Sequence, residues 1–212
     1  MAEIRRLGLR EGLVFDAGAG TGIGARLLKQ LGTFSVISCD SSSAMLHYAR
    51  SVSSAVWQAD LADLPAVEAR FCLVVSGFDA LNYLPAQALD SFFRWVRKHL
   101  KEPDGALIFD YSTAHFLRDV WSTREYTENS SGLDLHWKHQ YDVRTKIAKI
   151  ELTCSVGGRV LWAEEHCQHA LDSHQLVELA ARAGLGVESC RDLHGAIPSN
   201  SSQKDVYVMK RR

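Results

Sequence analysis

The segment VFDAGAGTG, residues 14–22, sets three glycines at alternate positions, Gly18, Gly20 and Gly22, with Asp16 two residues ahead of them. Glycine removes the side chain where backbone must lie close to something. Between a strand and a helix, that something is a phosphate, a nucleoside or the chain's own tight turn. Spacing narrows the choice. A dinucleotide fingerprint would put its third glycine at position 23, which is Ile23, and no G-K-[ST] follows to make a phosphate loop. Asp16 closes an apolar run that should be buried, and a buried carboxylate needs a partner. A cationic ligand amine, direct or through water, would supply one.

The chain also has nine histidines and five cysteines, which raises the question of a metal. His136 and His139 are three apart on an extended segment, so they point to opposite faces, and His166, Cys167 and His169 are split in the same way. No metal site is expected. Cys39, Cys72, Cys154, Cys167 and Cys190 are odd in number and scattered without a C-x-x-C, which points to reduced thiols and a cytoplasmic chain.

The elements that must position these residues alternate. Short runs rich in β-branched and aromatic residues occur at 13–18, 34–40, 55–60, 71–76 and 105–112. Amphipathic stretches lie between them: GARLLKQL, SSAMLHYARSV and PAQALDSFFRWVRKHL. The last puts Leu89, Phe92, Phe93, Val96 and Leu100 on one helical face. Strand–helix alternation predicts βαβ units and a parallel, right-handed sheet. After Ser112 the pattern changes. A polar stretch, 122–132, leads to three extended segments at 133–142, 146–156 and 159–171, with Gly157-Gly158 as a hairpin turn between the last two. A helix over 173–185 with Gly184 as its cap precedes two closing strands at 186–193 and 205–211.

FDAGAGTG resembles the D/E-x-G-x-G-x-G signature of class I methyltransferases that use S-adenosylmethionine. The likeness continues in order through CDSSSAML, WQADLADLP, SGFDALNYLP and FDYST, each at a predicted strand end, and it spans nearly the whole chain. It implies a doubly wound α/β fold: a mostly parallel seven-stranded sheet with a C-terminal antiparallel hairpin and an inserted antiparallel β-sheet lid at about 120–171, in a single cofactor-binding domain over 1–212. It also implies cofactor contacts from Asp16, Gly18, Ala19, Gly20, Gly22 and Ser41; from Asp40 to the ribose; and from Met45, Asp60 and Leu61 around the adenine. Gly77 and Phe78 then face the methionine moiety and the transferable methyl. Asp40 lies about 20 residues past the glycines, where a second strand's end meets a ribose, although DSSS is equally a helix start.

The acceptor side is less readable, because methyl transfer is an in-line displacement that mainly needs alignment. Asp79, Asn82 and Tyr83 follow the fourth strand and are expected to bind acceptor, with Tyr141 of the lid, although turn and helix-cap roles fit Asp79 and Asn82 at least as well. Tyr111 and His139 are the catalytic candidates, His139 as a general base near neutral pH. The lid resembles that of small-molecule enzymes acting on amine nitrogens, including amino sugars, in which it also takes part in dimerisation. A homodimer through the lid is therefore expected. Relatives carry N-terminal helices over the site, whereas about a dozen residues precede Val14 here; a more open cofactor site with modest affinity is expected.

Composition excludes other classes. A net charge of −1 and a basic cluster only at the KRR end disfavour nucleic acid. No apolar run is long enough to cross a membrane. The readings left are a methyltransferase on a small-molecule amine, a carboxylate or hydroxyl methyltransferase, a non-catalytic S-adenosylmethionine-binding subunit, and a nicotinamide dehydrogenase, the last disfavoured by the glycine spacing.

Overall fold

Period-two alternation builds the main sheet. In the computed structural model, which describes residues 2–212, strand β1 (Glu11–Ala17) sends Val14 to one face and Phe15 to the other, both fully buried. It lies between β2 (Thr33–Asp40) and β4 (Leu73–Ser76), parallel to both, with β3 (Ala55–Gln58) beyond β2 and β5 (Ala106–Ser112) beyond β4. The closing strands β10 (Leu185–Asp192) and β11 (Lys204–Arg211) complete a seven-stranded sheet in the order β10-β11-β5-β4-β1-β2-β3, with β11 antiparallel to β5 and to β10. The winding reverses between β1 and β4, so a crevice opens at their carboxyl ends.

Helices cover both faces. On one, α4 (Ala86–His99) and α5 (Ser173–Arg182) bury Phe92, Phe93, Leu176 and Leu179 against Phe15, Leu107, Phe109 and Tyr111. On the other, the short α1 (Ala2–Arg6) and α2 (Ile23–Leu31) bury Ile4, Ala25 and Leu28 against Val14, Val36 and Ile108. Between β2 and β3 runs α3 (Ser43–Ala49), capped by the Ser42 hydroxyl, which accepts from the Met45 N–H. The five Leu, Phe and Val positions expected on one face of α4 are buried together. Gly184, with φ of 83°, follows the end of α5.

The insertion is a second sheet of four strands, not three: β6 (Glu125–Ser130), β7 (Leu133–Asp142), β8 (Ile147–Val156) and β9 (Arg159–His169), an antiparallel meander. The sequence reading missed β6 because all six of its residues are exposed. An edge strand with both faces in water has no apolar alternation to betray it. Its turn into β7, Ser131-Gly132, and the Gly157-Gly158 turn both take positive φ at both residues, the two-residue geometry that matches strand twist. Leu117, Ala148 and Ala170 join the lid to the π-helical turn Phe116–Trp121.

Candidate functional site

The glycine turn wraps the carboxyl end of β1 and is tied to β2. Gly18 and Ala19 donate their N–H groups to the Cys39 carbonyl at 2.9 Å, and Gly20 donates to Asp40 Oδ2 at 2.8 Å. The other carboxylate oxygen, Oδ1, accepts from the Ser42 N–H at 2.9 Å. Asp40 therefore spans the two loops and lines the cleft, and each of its oxygens keeps a further lone pair. Gly18 has φ of 71°, and a Cβ there would come within 2.4 Å of the Ala80 methyl.

Four strand ends meet around a cavity of about 480 Å³. Gly18 and Gly20 follow β1, Asp40 and Ser41 end β2, Asp60 and Leu61 follow β3, and Gly77 and Phe78 follow β4; Met45 of α3 forms one wall. Asp60 Oδ1 accepts from the Ala62 N–H at 2.9 Å and opens a turn at Leu61–Asp63. A second cavity of about 250 Å³ shares Gly18, Gly77 and Phe78 with the first and is lined by Asp16 and Ala19. Asp16 is 4% exposed, and its Oδ2 has no hydrogen-bond partner. Burial pushes this carboxyl up to about 7, with the nearby Asp40 charge adding and the Ala25 N–H opposing. A Cβ on Gly24 would sit 2.8 Å from Asp16 Oδ2, so that glycine makes room for the carboxylate. Ile4 of α1 walls the same cavity, so the few residues before β1 do help cover the site.

The turn after β4 is strained. Phe78 and Asp79 both take left-handed backbone, φ 58° and 63°, which non-glycine residues seldom adopt. Asp110 of β5 holds them: its Oδ2 accepts from the Phe78 N–H at 3.0 Å and its Oδ1 from the Asp79 N–H at 2.8 Å. Phe78 is left 71% exposed over the cleft.

Comparison with known proteins agrees with this architecture. Residues 14–105 match the family model described as "Methyltransferase domain". The match runs from within β1 to the residue before β5. No curated protein matches the chain in sequence. Among solved structures, an S-adenosylmethionine-dependent methyltransferase from Clostridium acetobutylicum ATCC 824 superposes with a TM-score of 0.86 at 19% identity, covering 99% of this chain and 88% of that one. The CcbJ methyltransferase from Streptomyces caelestis gives 0.81 at 21% identity over 93% and 82% of the two chains. CalS10, an amino pentose methyltransferase from Micromonospora echinaspora, gives 0.76 at 15% identity over 100% and 88%. At these identities the likeness is one of fold.

Several residues expected in the methyltransferase site have other tasks. Gly22 lines neither cavity; its Cβ would strike Val52 and Ala49, so it lets the turn pack on α3. Asp79, expected to bind acceptor, accepts from the Ser112 hydroxyl at 2.7 Å and pairs with Lys204 at 2.8 Å. Asn82 is fully buried: its amide donates to the Ser112 and His169 carbonyls and its oxygen accepts from the Ser112 N–H at 2.9 Å. Both tie the segment after β4 to β5, Asp79 reaching β11 as well and Asn82 the lid.

Tyr111 is corrected by its packing and its bond to the lid. It shares the α4–α5 face with Phe109, its hydroxyl donates to the His169 carbonyl at 2.8 Å, and it lines neither cleft cavity. Asp110, one residue earlier, lines the smaller cleft cavity together with Ile108 and Phe109. His139 is buried among Trp121, Tyr126 and Trp137, its Nδ1 3.0 Å from the Arg124 carbonyl, and burial lowers its pKa. Tyr141 packs on the cluster around Leu117. The lid face that carries His139 and Tyr141 thus turns to the Phe116–Trp121 segment, and neither residue lines the cleft.

Tyr83 does line it, and its hydroxyl lies 3.4 Å from Nδ1 of His166 on β9, the lid residue that reaches the cavity. Sequence reasoning weighed His166 only as a metal ligand. Nothing in its spacing marks it, since β9 exposes every residue from Arg159 to Glu165 before His166 becomes partly covered. Among the described residues no group of three or more His, Cys, Asp or Glu could hold a metal. Among the described residues no helix is long and apolar enough to cross a membrane.

Proposed function

We propose that the chain moves a methyl group from S-adenosylmethionine to the nitrogen of a small-molecule amine. One observation carries the reading: a buried carboxylate without a partner, Asp16, opens on a glycine-walled cleft formed at four successive strand ends. The residues present fit this cofactor. Asp16 would pair with its α-ammonium. The free lone pairs of Asp40 would accept two ribose hydroxyls, and Asp60, Leu61 and Met45 would enclose the adenine. Gly18, Ala19, Gly20 and Gly77 leave room for its backbone-hugging chain, and Phe78 covers the methionine end. When bound, S-adenosylmethionine supplies an electrophilic methyl on a sulfonium.

The chain's own part is alignment, exclusion of water and handling of one proton. An ammonium acceptor must lose a proton to expose its lone pair. His166, at the cavity wall and oriented by Tyr83, is placed to take it and pass it to solvent. Support for an amine over a hydroxyl or carboxylate comes from the fold shared with the amino pentose enzyme. We place the chain in a reducing cytoplasm, and we infer a homodimer formed on the lid, whose β9 exposes Val160, Leu161 and Trp162.

Calorimetric titration with S-adenosylhomocysteine tests the cofactor, beside an Asp40→Ala control that should lose binding. Turnover of S-adenosylmethionine with amines, hydroxyls and carboxylates tests the acceptor. Heat without turnover on any amine would turn the reading to a non-catalytic binding subunit. No heat at all would sink it.

A further inference from the structure

A cavity of about 370 Å³ on the opposite face of the sheet shares no lining residue with the cleft. It lies between the start of β11, the end of β5, the N-terminus of α5 and the loop at 198–200. Asp205 of β11 lines it, only 3% exposed, and its Oδ1 has no hydrogen-bond partner. In register, Asp205 stands between Tyr111 of β5 and Asp192 of β10. Asp192 is committed, since its Oδ1 accepts from the His194 and Ala196 N–H groups at 2.8 Å. Asp205 therefore lies beside a second carboxylate with nothing to neutralise it.

No lysine or arginine lines this cavity. Its one histidine, His115, is held 2.9 Å from Asp119. The other polar side chains lining the cavity are Tyr111, Tyr207, Thr113, Ser173, Ser199, Asn200 and Asp172, which caps α5 by accepting from the Gln175 N–H. Leu171, Leu176 and Pro198 supply apolar wall. The volume is many times that of a bare ion. An uncompensated buried anion in such a cavity calls for a cation with a hydrocarbon body.

We propose that this cavity is a second ligand site, which binds a small organic ammonium ion with Asp205 as its counter-ion. Nothing in this depends on the reading of the cleft.

The test uses the full chain with benzylammonium as probe and benzyl alcohol as its neutral counterpart, followed by ligand-observed NMR and calorimetry. Benzylammonium binds the wild type and the alcohol does not. Affinity rises as pH rises through about 6, where burial and Asp192 set the Asp205 carboxyl. Asp205→Asn, which keeps shape and drops charge, weakens binding by about tenfold or more. Asn200→Trp, on the exposed rim, blocks the mouth and gives the same loss should Asp205→Asn fail the circular-dichroism check for folding. Asp16→Asn leaves the titration unchanged. Equal affinity for ammonium and alcohol overturns the proposal, as does absence of saturable binding. So does binding that survives Asp205→Asn but is lost in Asp16→Asn, which would put the cation in the cleft.

Discussion

Lys204 Nζ lies 2.8 Å from Asp79 Oδ1, beneath the turn that carries Phe78 over the cleft. The same ammonium is 3.6 Å from Asp110 Oδ2, so one cation from β11 serves both carboxylates that fix the strained turn. Left-handed backbone at Phe78 and Asp79 costs about 1–2 kcal/mol per residue, and this network offsets it. Replacing Lys204 by Met leaves two adjacent, largely buried acids uncompensated, with an expected loss of about 3 kcal/mol. Burial already holds the Asp110 carboxyl above its ordinary range, with Lys204 opposing. In Lys204→Met it should protonate more readily, so the stability deficit shrinks as pH falls from about 7.5 to 5.5. Urea unfolding of both proteins at the two pH values measures this; a deficit that stays level or grows at low pH would refute the assignment.

His166 separates chemistry from cofactor binding. It reaches the cleft from the lid, whereas the residues around Asp40 and Asp60 come from the main sheet. His166→Ala should lower kcat by about a hundredfold, the span of a lost general base, and leave the S-adenosylhomocysteine Kd within about twofold. Tyr83→Phe, which removes only the hydroxyl beside Nδ1, should fall between. A His166→Ala enzyme with normal kcat would leave proton removal to solvent.

Most of the main sheet was legible because buried strands and amphipathic helices write their periods into the sequence, as α4 does from Leu89 to Leu100. The lining of the cleft was legible for a related reason: a strand-to-helix turn fixes which residues stand at the mouth. The acceptor side failed at Asp79, Asn82 and Tyr111 because position after a strand does not reveal orientation. Tyr111 is instead taken up by long-range packing, its hydroxyl donating to the His169 carbonyl of the lid. His166 gave no such hint. It matters through the docking of one sheet on another, which is long-range packing that no local pattern encodes.

Two glycines divide backbone need from ligand space. A Cβ on Gly18 would collide with Ala80 and sit on left-handed backbone, so Gly18→Ala should cost stability, about 1–3 kcal/mol. A Cβ on Gly77 meets nothing within 4 Å and faces the cleft. Gly77→Ala should therefore unfold at the wild-type temperature yet bind S-adenosylhomocysteine about tenfold more weakly, since the methyl occupies space the ligand needs. Thermal melts with calorimetry on both variants distinguish the cases. A Gly77→Ala protein with unaltered affinity would place the ligand elsewhere.

Asp16 should make stability and cofactor affinity move in opposite directions with pH. Its carboxyl is raised to about 7 in the folded chain by burial, so between the ordinary carboxylate range and pH 7 the folded state holds a proton that the unfolded state has released. Stability then falls as pH rises across that window and levels off above it, by on the order of 4 kcal/mol at most. A cationic ligand amine needs the ionised form, so S-adenosylhomocysteine should bind more tightly as pH rises through about 7, and bound ligand should pull the carboxyl back down. Asp16→Asn removes the charge at every pH. It should gain stability over wild type at pH 8, show no such gain near pH 4, and bind S-adenosylhomocysteine weakly with a flat pH profile. If affinity in the wild type does not change between pH 6 and 8, Asp16 does not meet the amine, and its unpartnered oxygen needs another explanation.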